Sequence, residues 1–255
     1  MPTRITSTLL NIYRTMRYHF HHMTFSPHTI RTQVGDISFD FYIADPVARE
    51  WYEGGYGWPE LAFWRNRLTD AVVLDCGGHH GFTATYFGKC VGDNGKVIVF
   101  EPHPFNASVI RKNIQLNNLK NVSVENKAVG NIDGTTYISF SSDASVQQGS
   151  LATISVPVTM IDNYAYLKPT MLKLDVEGFE VLALKGARKV LSTHPALELE
   201  IHTKQLPQYG CSVEDVLSLL ELAAYDCWIL GPTGFQPYEH RIRMSTNFHL
   251  LAIPK

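Results

Sequence analysis

Cysteine is scarce and unpaired in this 255-residue sequence: Cys76, Cys90, Cys211 and Cys227 form no Cys-x-x-Cys motif. Scattered through segments that read as structured, they argue against a zinc site and a disulfide framework, and they suit a reducing compartment. An excess of charge of one sign is also missing, since 22 Lys and Arg meet 24 Asp and Glu. No global field draws nucleic acid, a polyanionic substrate or an anionic membrane, so none of these is an expected partner. No apolar run approaches the roughly 18 residues of a membrane-spanning helix. Nor do the first residues carry a compact apolar stretch followed by a small-residue cleavage site, and a cytoplasmic chain is the expectation. No internal repeat and no linker interrupt the sequence, and its length suits one catalytic domain around one core.

Residues 5–23 place Ile5, Leu9, Ile12, Met16, Phe20 and Met23 at helical spacing. That pattern predicts an amphipathic helix that packs on its own domain or joins two copies into a homodimer, with a membrane surface or another partner as the competing reading. His19, His21 and His22 have no ordered second half and read as surface. Residues 29–43 alternate around Gly35-Asp36 and predict a β-hairpin that caps the domain outside its main sheet. From residue 71 onward short apolar strands alternate with helical stretches, the signature of a parallel sheet with right-handed crossovers. Strands are expected at 72–74, 96–100, 122–125, 171–176 and 196–201, and helices at 59–68, 82–91, 105–117, 179–191 and 213–224. Residues 131–155, rich in Ser, Gly, Thr and Gln, predict an irregular excursion with a small hairpin near 136–140. Two closing strands, 225–230 and 248–253, complete the chain. The expected division is an extension over 1–58 and a ligand-binding domain over 59–255.

The segment Val72-Val73-Leu74-Asp75-Cys76-Gly77-Gly78-His79-His80-Gly81 carries the most chemistry. A buried strand runs into a glycine turn and then a helix, the place where open α/β sheets bind ligands. Gly77 and Gly81 let backbone approach the ligand, and the helix N-terminus offers N–H groups to an anion. Glu101, ending the next strand, suits a pair of ribose hydroxyls. A dinucleotide fingerprint requires glycines at i, i+2 and i+5; with Gly78 and Gly81 as the last two, the first falls on Cys76. Asp75 at the strand tip would moreover repel a pyrophosphate and attract a cofactor bearing ammonium and sulfonium groups. An NAD-type oxidoreductase is thereby disfavoured, although Asp75 as a plain helix cap is the competing reading.

Four blocks in order resemble the FkbM-like methyltransferases: Val73 to Gly81; Phe100-Glu101-Pro102-His103-Pro104 with Asn113 and Asn117-Asn118; Leu172-Lys173-Leu174-Asp175-Val176-Glu177-Gly178-Phe179-Glu180; and Glu198-Leu199-Glu200-Ile201-His202. The Lys-x-Asp-x-Glu-Gly-x-Glu block is the specific one. The resemblance implies a Rossmann-like class I α/β fold, with a mostly parallel seven-stranded sheet closed by a C-terminal antiparallel hairpin. It also implies S-adenosylmethionine as cofactor and methylation of a hydroxyl, often on a sugar or small natural product. Carried over residue by residue, it implies Asp75, Gly77 and Gly81 around the methionine part and Glu101 on the ribose, and Gly78, His79, Phe82 and Pro102 join them as expected cofactor-binding residues. It further implies Ala128, between Lys127 and Val129, near adenine, with Glu60 and Asp175 also at the cofactor. The family commonly has Gly-Ala-Asn-x-Gly in the first loop, where this chain has Gly78, His79 and His80 in the middle. Two roles are open for His79, a hydrogen-bond donor in place of the Asn or a helix cap. The altered loop also keeps open a module that binds the cofactor without turnover.

Methyl transfer from a sulfonium needs alignment, exclusion of water and removal of the acceptor proton. Strand alternation puts Asp175 with Glu177, and Glu198 with Glu200 and His202. His202 is the leading general base, because an ordinary imidazole titrates near neutrality, with Asp175 second and Glu200 as a neighbouring carboxylate. A packed structural histidine is the competing reading. A divalent metal on Asp175, Glu200 and His202 is conceivable but not favoured on ligand type. His103 reads as turn chemistry. The aromatic run Trp51, Tyr52, Tyr56, Trp58, Phe63 and Trp64 predicts a core helix with a glycine-bearing lid over cofactor and acceptor.

Overall fold

The computed structural model describes residues 24–54, 57–139, 153–231, 234–239 and 246–255. The amphipathic stretch 5–23, its proposed dimer contact and the histidines at 19, 21 and 22 lie outside the described residues, as does Tyr56.

Strands β1 (His28–Val34) and β2 (Ile37–Ile43) form a two-stranded antiparallel sheet. Gly35, at φ +59°, supplies the positive φ that a two-residue turn demands. Asp36 beside it is gripped at 2.7 and 3.0 Å by Arg65. Alternation sends Phe39, Phe41 and Ile43 inward, where no part of them meets solvent. Among the described residues the opposite edge of β2 has no partner strand. Asn113 and Asn117 close it instead: Asn113 Oδ1 accepts the Tyr42 N–H at 2.7 Å, and Asn117 pairs with both the N–H and the C=O of Asp40.

Two short helices, α1 (Pro46–Tyr52) and α2 (Pro59–Trp64), lead into the main sheet, whose strands are β3 (Val72–Cys76), β4 (Lys96–Phe100), β5 (Val122–Glu125), β9 (Met171–Leu174), β10 (Ala196–Ile201), β11 (Tyr225–Gly231), β12 (Gly234–Pro237) and β13 (Phe248–Pro254). The order across the sheet is β12-β11-β13-β10-β9-β3-β4-β5. The five strands β5, β4, β3, β9 and β10 run parallel, whereas β13 pairs antiparallel with both β10 and β11. Among the described residues the sheet has eight strands, not seven, because residues 234–237 turn back along β11. The strands β6 (Ala128–Val129), β7 (Gly134–Ser139) and β8 (Thr153–Thr159) form a separate three-stranded sheet. The hairpin expected near 136–140 is thus replaced by pairing of β7 with the more distant β8.

Helices α3 (Phe82–Cys90) and α4 (Pro104–Leu116) cross between the first strands. The long helices expected at 179–191 and 213–224 are shorter. The first breaks into α5 (Glu180–Lys185) and α6 (Arg188–Leu191), and the second ends as α7 (Val213–Ser218). Gly186 explains the break, since a Cβ there would lie 1.9 Å from the Gly130 carbonyl oxygen, so backbone crosses backbone where the helix would continue. The helix expected at 59–68 likewise stops at Trp64. Because side chains of a strand alternate, the central β3 feeds two cores. Leu74 and Cys76 pack with Leu172, Leu174 and the α5 and α6 side, while Val73 packs with Phe82, Phe87, Trp64 and the β2 face.

Asn113 also donates to the His80 carbonyl at 2.9 Å, linking the hairpin edge to the glycine turn. Asn113→Ala should lower the unfolding free energy by about 2–4 kcal/mol, since each buried backbone group left unpaired costs roughly 1–3 kcal/mol. Urea denaturation with an unchanged slope checks this.

Candidate functional site

The parallel strands deliver their carboxyl ends to one edge, and the residues just beyond them surround a cavity of about 400 Å³. The first turn there is dictated by steric exclusion. Gly77 adopts φ +91°, and a Cβ on it would lie 1.7 Å from the Asp175 carbonyl oxygen. His79 follows at φ +47°, a left-handed conformation that Asn and His enter more readily than most residues. That tolerance accounts for His standing where an Asn is common. The His79 side chain caps no helix; its Nδ1 lies 2.6 Å from the Tyr52 hydroxyl, and its backbone N–H donates to Glu101 Oε2 at 2.8 Å. Burial, then His80 and Lys173, hold the His79 imidazole well below its ordinary pKa, so it is neutral and shares one hydrogen bond with the Tyr52 hydroxyl.

Tyr52, Trp58 and Phe82 stack, with centroids 5.0 Å apart for Tyr52 and Phe82 and 4.6 Å for Trp58 and Phe82. Tyr52 and Trp58 line the cavity together with Trp51, the aromatic wall expected from the sequence, whereas Phe82 supports it from behind. Glu101 is 2% exposed, and its two oxygens accept the N–H groups of His79 and His103 at 2.8 Å each. Burial outweighs those donors and pushes its carboxyl up to about 8.

Glu60, Gly77, Gly78, His79, Glu101, Pro102, Ala128, Asp175 and Glu200 all line the cavity. Asp75, Gly81, Phe82 and His202 are not among its lining residues. Asp75 therefore does not present its charge to a ligand. It is fully buried, with Oδ1 3.2 Å from Lys173 Nζ, which also donates to the Gly77 carbonyl at 3.1 Å and sits 3.5 Å from Asp175. The cause is register: Asp75, Lys173 and Glu198 face one another across β3, β9 and β10. Burial alone would discharge Lys173, but Asp75, Asp175 and Glu198 hold it above the ordinary lysine value, so it is a cation. Gly81 serves packing instead, as the left-handed cap of α3 at φ +85° against Ile110.

His202 also departs from expectation. Its ring is buried and its Nδ1 lies 2.7 Å from Glu180 Oε1, while Nε2 faces Asp175, Glu177 and Glu200 at 3.5 to 3.7 Å. Burial opposes protonation, but Glu180 and those three carboxylates prevail and lift it to about 10. An imidazolium has no lone pair to take a proton, so His202 does not serve as a base in this state. The cavity wall has instead Glu200, which burial and then Asp175 push up to about 8, and His249, which burial lowers to about 4.

Sequence reading missed His249 and Lys173 as site residues, and it placed Glu177 and Glu198 at the strand ends without giving them a role. Lys173 carried a signal, a lysine in the middle of an otherwise apolar strand. His249 carried none, because it reaches the site through its pairing opposite Glu200 across β10 and β13. Six carboxylates, Glu60, Glu101, Asp175, Glu177, Glu198 and Glu200, thus face Lys127 and Lys173 around one cavity. The electrostatic attraction assigned to Asp75 belongs to this wall. Lys173→Met should destabilise the fold by about 3–5 kcal/mol, the cost of leaving a buried charge unpaired, while adding Asp75→Asn should recover much of the loss. A thermal and denaturant double-mutant cycle measures both.

Residues 75–227 match the methyltransferase FkbM domain. No curated protein sequence matches the chain. Among solved structures, a methyltransferase FkbM from Methylobacillus flagellatus KT is 22% identical with a TM-score of 0.46 over 72% of this chain, which spans 44% of that chain. An O-methyltransferase from Thermotoga maritima is 14% identical with a TM-score of 0.46, covering 88% of this chain and 77% of that one. An O-methyltransferase from Bacillus cereus in complex with SAH is 11% identical with a TM-score of 0.43, covering 76% of this chain and 79% of that one. With three-fifths of its length inside the matched domain, the chain belongs to the FkbM family of S-adenosylmethionine-dependent methyltransferases.

Proposed function

We propose that the chain moves the methyl group of S-adenosylmethionine onto a hydroxyl oxygen of a sugar or small natural product, and that residues 59–255 form the transferase domain to which residues 1–58 are an extension. One observation carries this reading: the glycine turn with Glu101 and the carboxylates Asp175, Glu177 and Glu200 border the same cavity from two sides. A donor held on the first side points its sulfonium toward the second, where an acceptor hydroxyl finds groups to take its proton.

In this assignment Gly77, Gly78 and His79 border the methionine part, and Glu101 accepts the ribose hydroxyls. Pro102 and Ala128 flank the adenine. Trp51, Tyr52 and Trp58 form an aromatic wall on which a sugar ring or an apolar natural product packs, which fits an acceptor of that kind. Glu60 and Glu198 add acidic groups near the sulfonium, and Glu198 takes its charge as pH rises through about 8. Asp75 acts indirectly, by fixing Lys173 and so the turn at Gly77.

Turnover with S-adenosylmethionine and a library of hydroxylated sugars and natural products should give singly methylated product, read by mass spectrometry; donor binding with no product from any member would return the reading to a binding module. At about pH 9, where Glu101 is ionised, Glu101→Gln should weaken S-adenosylhomocysteine binding by about tenfold to a hundredfold, matching the ~1.5–3 kcal/mol of hydrogen bonds to a charged group. Calorimetry reads this directly.

The acids give a pH test with a definite sign. Glu101, Glu198 and Glu200 are pushed up to about 8, so they ionise as pH rises through that value. A sulfonium gains from their ionisation and a neutral thioether does not. The preference for S-adenosylmethionine over S-adenosylhomocysteine should therefore increase between about pH 7 and pH 9, and a flat ratio would count against charge as the source of donor selectivity.

A further inference from the structure

We propose that Asp175, Glu200 and His202 hold a divalent cation of Mn²⁺ character whose open side faces the cavity and binds the acceptor hydroxyl. The proposal rests on the methyl-transfer reading above and supplies its proton-removal step.

One ligand atom from each of the three residues lies within 4.8 Å of the other two. His202 Nε2 is 3.7 Å from Asp175 Oδ1 and 3.5 Å from Glu200 Oε1. Donors bound at about 2.1 Å to one ion stand about 3.0 Å apart when adjacent and about 4.2 Å when opposite, so the two imidazole–carboxylate separations fall between these limits and need only small side-chain shifts to close on one ion.

The imidazole is an independent observation. Its side chain is 3% exposed, its Nδ1 is fixed at 2.7 Å by Glu180, and its Nε2 lies 3.5 to 3.7 Å from Asp175, Glu177 and Glu200. The incoming cation takes the place of the proton that these carboxylates hold on Nε2, which is released on binding. Glu180 is itself held by the Gly178 N–H at 3.0 Å. A buried carboxylate that orients one ring nitrogen while the other points at acidic groups is the support a metal-binding histidine requires. The two carboxylates divide their oxygens. Asp175 turns Oδ2 to Lys173 and Oδ1 to the site, and Glu200 turns Oε2 to His249 and Oε1 to the site. Glu177 Oε2, 3.5 Å from His202 Nε2, completes the set of charged neighbours.

One imidazole and two carboxylates, with no thiolate, exclude a soft metal, and the nitrogen favours Mn²⁺ and its first-row neighbours over Ca²⁺. Asp175 and Glu200 border the cavity, so coordination positions remain for the acceptor. The bound hydroxyl is acidified and passes its proton to the Glu177 carboxylate. Its oxygen lone pair then forms the C–O bond to the methyl carbon as the C–S bond breaks, leaving that electron pair on sulfur as a neutral thioether.

The full chain, stripped with a chelator and saturated with S-adenosylhomocysteine, is titrated with Mn²⁺ while the free-ion paramagnetic resonance signal is recorded. One Mn²⁺ per chain is expected, with binding weakened at least tenfold in Glu200→Gln and in Asp175→Asn, at melting temperatures that show both variants folded. Methyl transfer should fall on chelation and return with Mn²⁺. No uptake at millimolar Mn²⁺ by protein that binds S-adenosylhomocysteine would overturn the metal site and leave the methyl-transfer reading standing. Equal uptake in both variants, or transfer indifferent to chelation, would overturn it too. Failure to bind S-adenosylhomocysteine would instead strike the methyl-transfer reading.

Discussion

The buried ammonium of Lys173 is the constraint on which the rest of the site depends. It lies between Asp75 on one neighbouring strand and Glu198 on the other, and it reaches up to the carbonyl of Gly77. A charge so placed is tolerated only with partners on every side, because removing it from water costs several kcal/mol. The same contacts tie the ends of three strands to the turn that follows the first. Gly77 can be nothing larger, since the Asp175 backbone occupies the space of its side chain. Charge and steric exclusion thus fix one loop from two directions, and the cavity inherits its shape from that loop.

Around this fixed edge the protein accumulates acids. Six carboxylates line the cavity against two lysines. Burial raises three of them toward 8, with repulsion from neighbouring acids adding to it at Glu198 and Glu200, a state whose cost a cationic ligand relieves. Such a wall discriminates by charge before any contact is optimised, favouring a sulfonium and opposing a pyrophosphate. Tyr52, Trp58 and Phe82 form a stacked platform whose polar tip, the Tyr52 hydroxyl, is engaged by His79. The left-handed turn at His79 serves both sides: it turns the ring to Tyr52 and the backbone N–H to Glu101.

The hairpin of β1 and β2 is bound to this machinery through Asn113, whose side chain bridges the β2 edge and the His80 carbonyl. Phe41 and Phe39 pack on Phe82 at centroid distances of 5.1 and 5.0 Å, so the hairpin supports the aromatic platform from below. An element outside the main sheet therefore helps to set the cavity wall.

The parallel strands, their order of appearance and the glycine turn were legible in the sequence, because alternation of apolar runs with helical periods and a strand-turn-helix boundary are local properties. The helix at 179–191 was overextended, since the periodicity persists past Gly186 while the backbone of Gly130 blocks the path, and the one at 213–224 ends at Ser218. Glu101, Asp175 and Glu200 could be placed at the cavity from their positions at strand ends. The partners of Asp75 and His202 could not. Sequence determined which residues stand at the carboxyl edge; only the lateral register of β3, β9, β10 and β13 decided that Asp75 meets Lys173 and that His249 meets Glu200. Crossover packing, not local pattern, brought Glu180 to His202. Register depends on interactions between segments far apart in the chain, and those energies are set by packing that no local window of sequence contains.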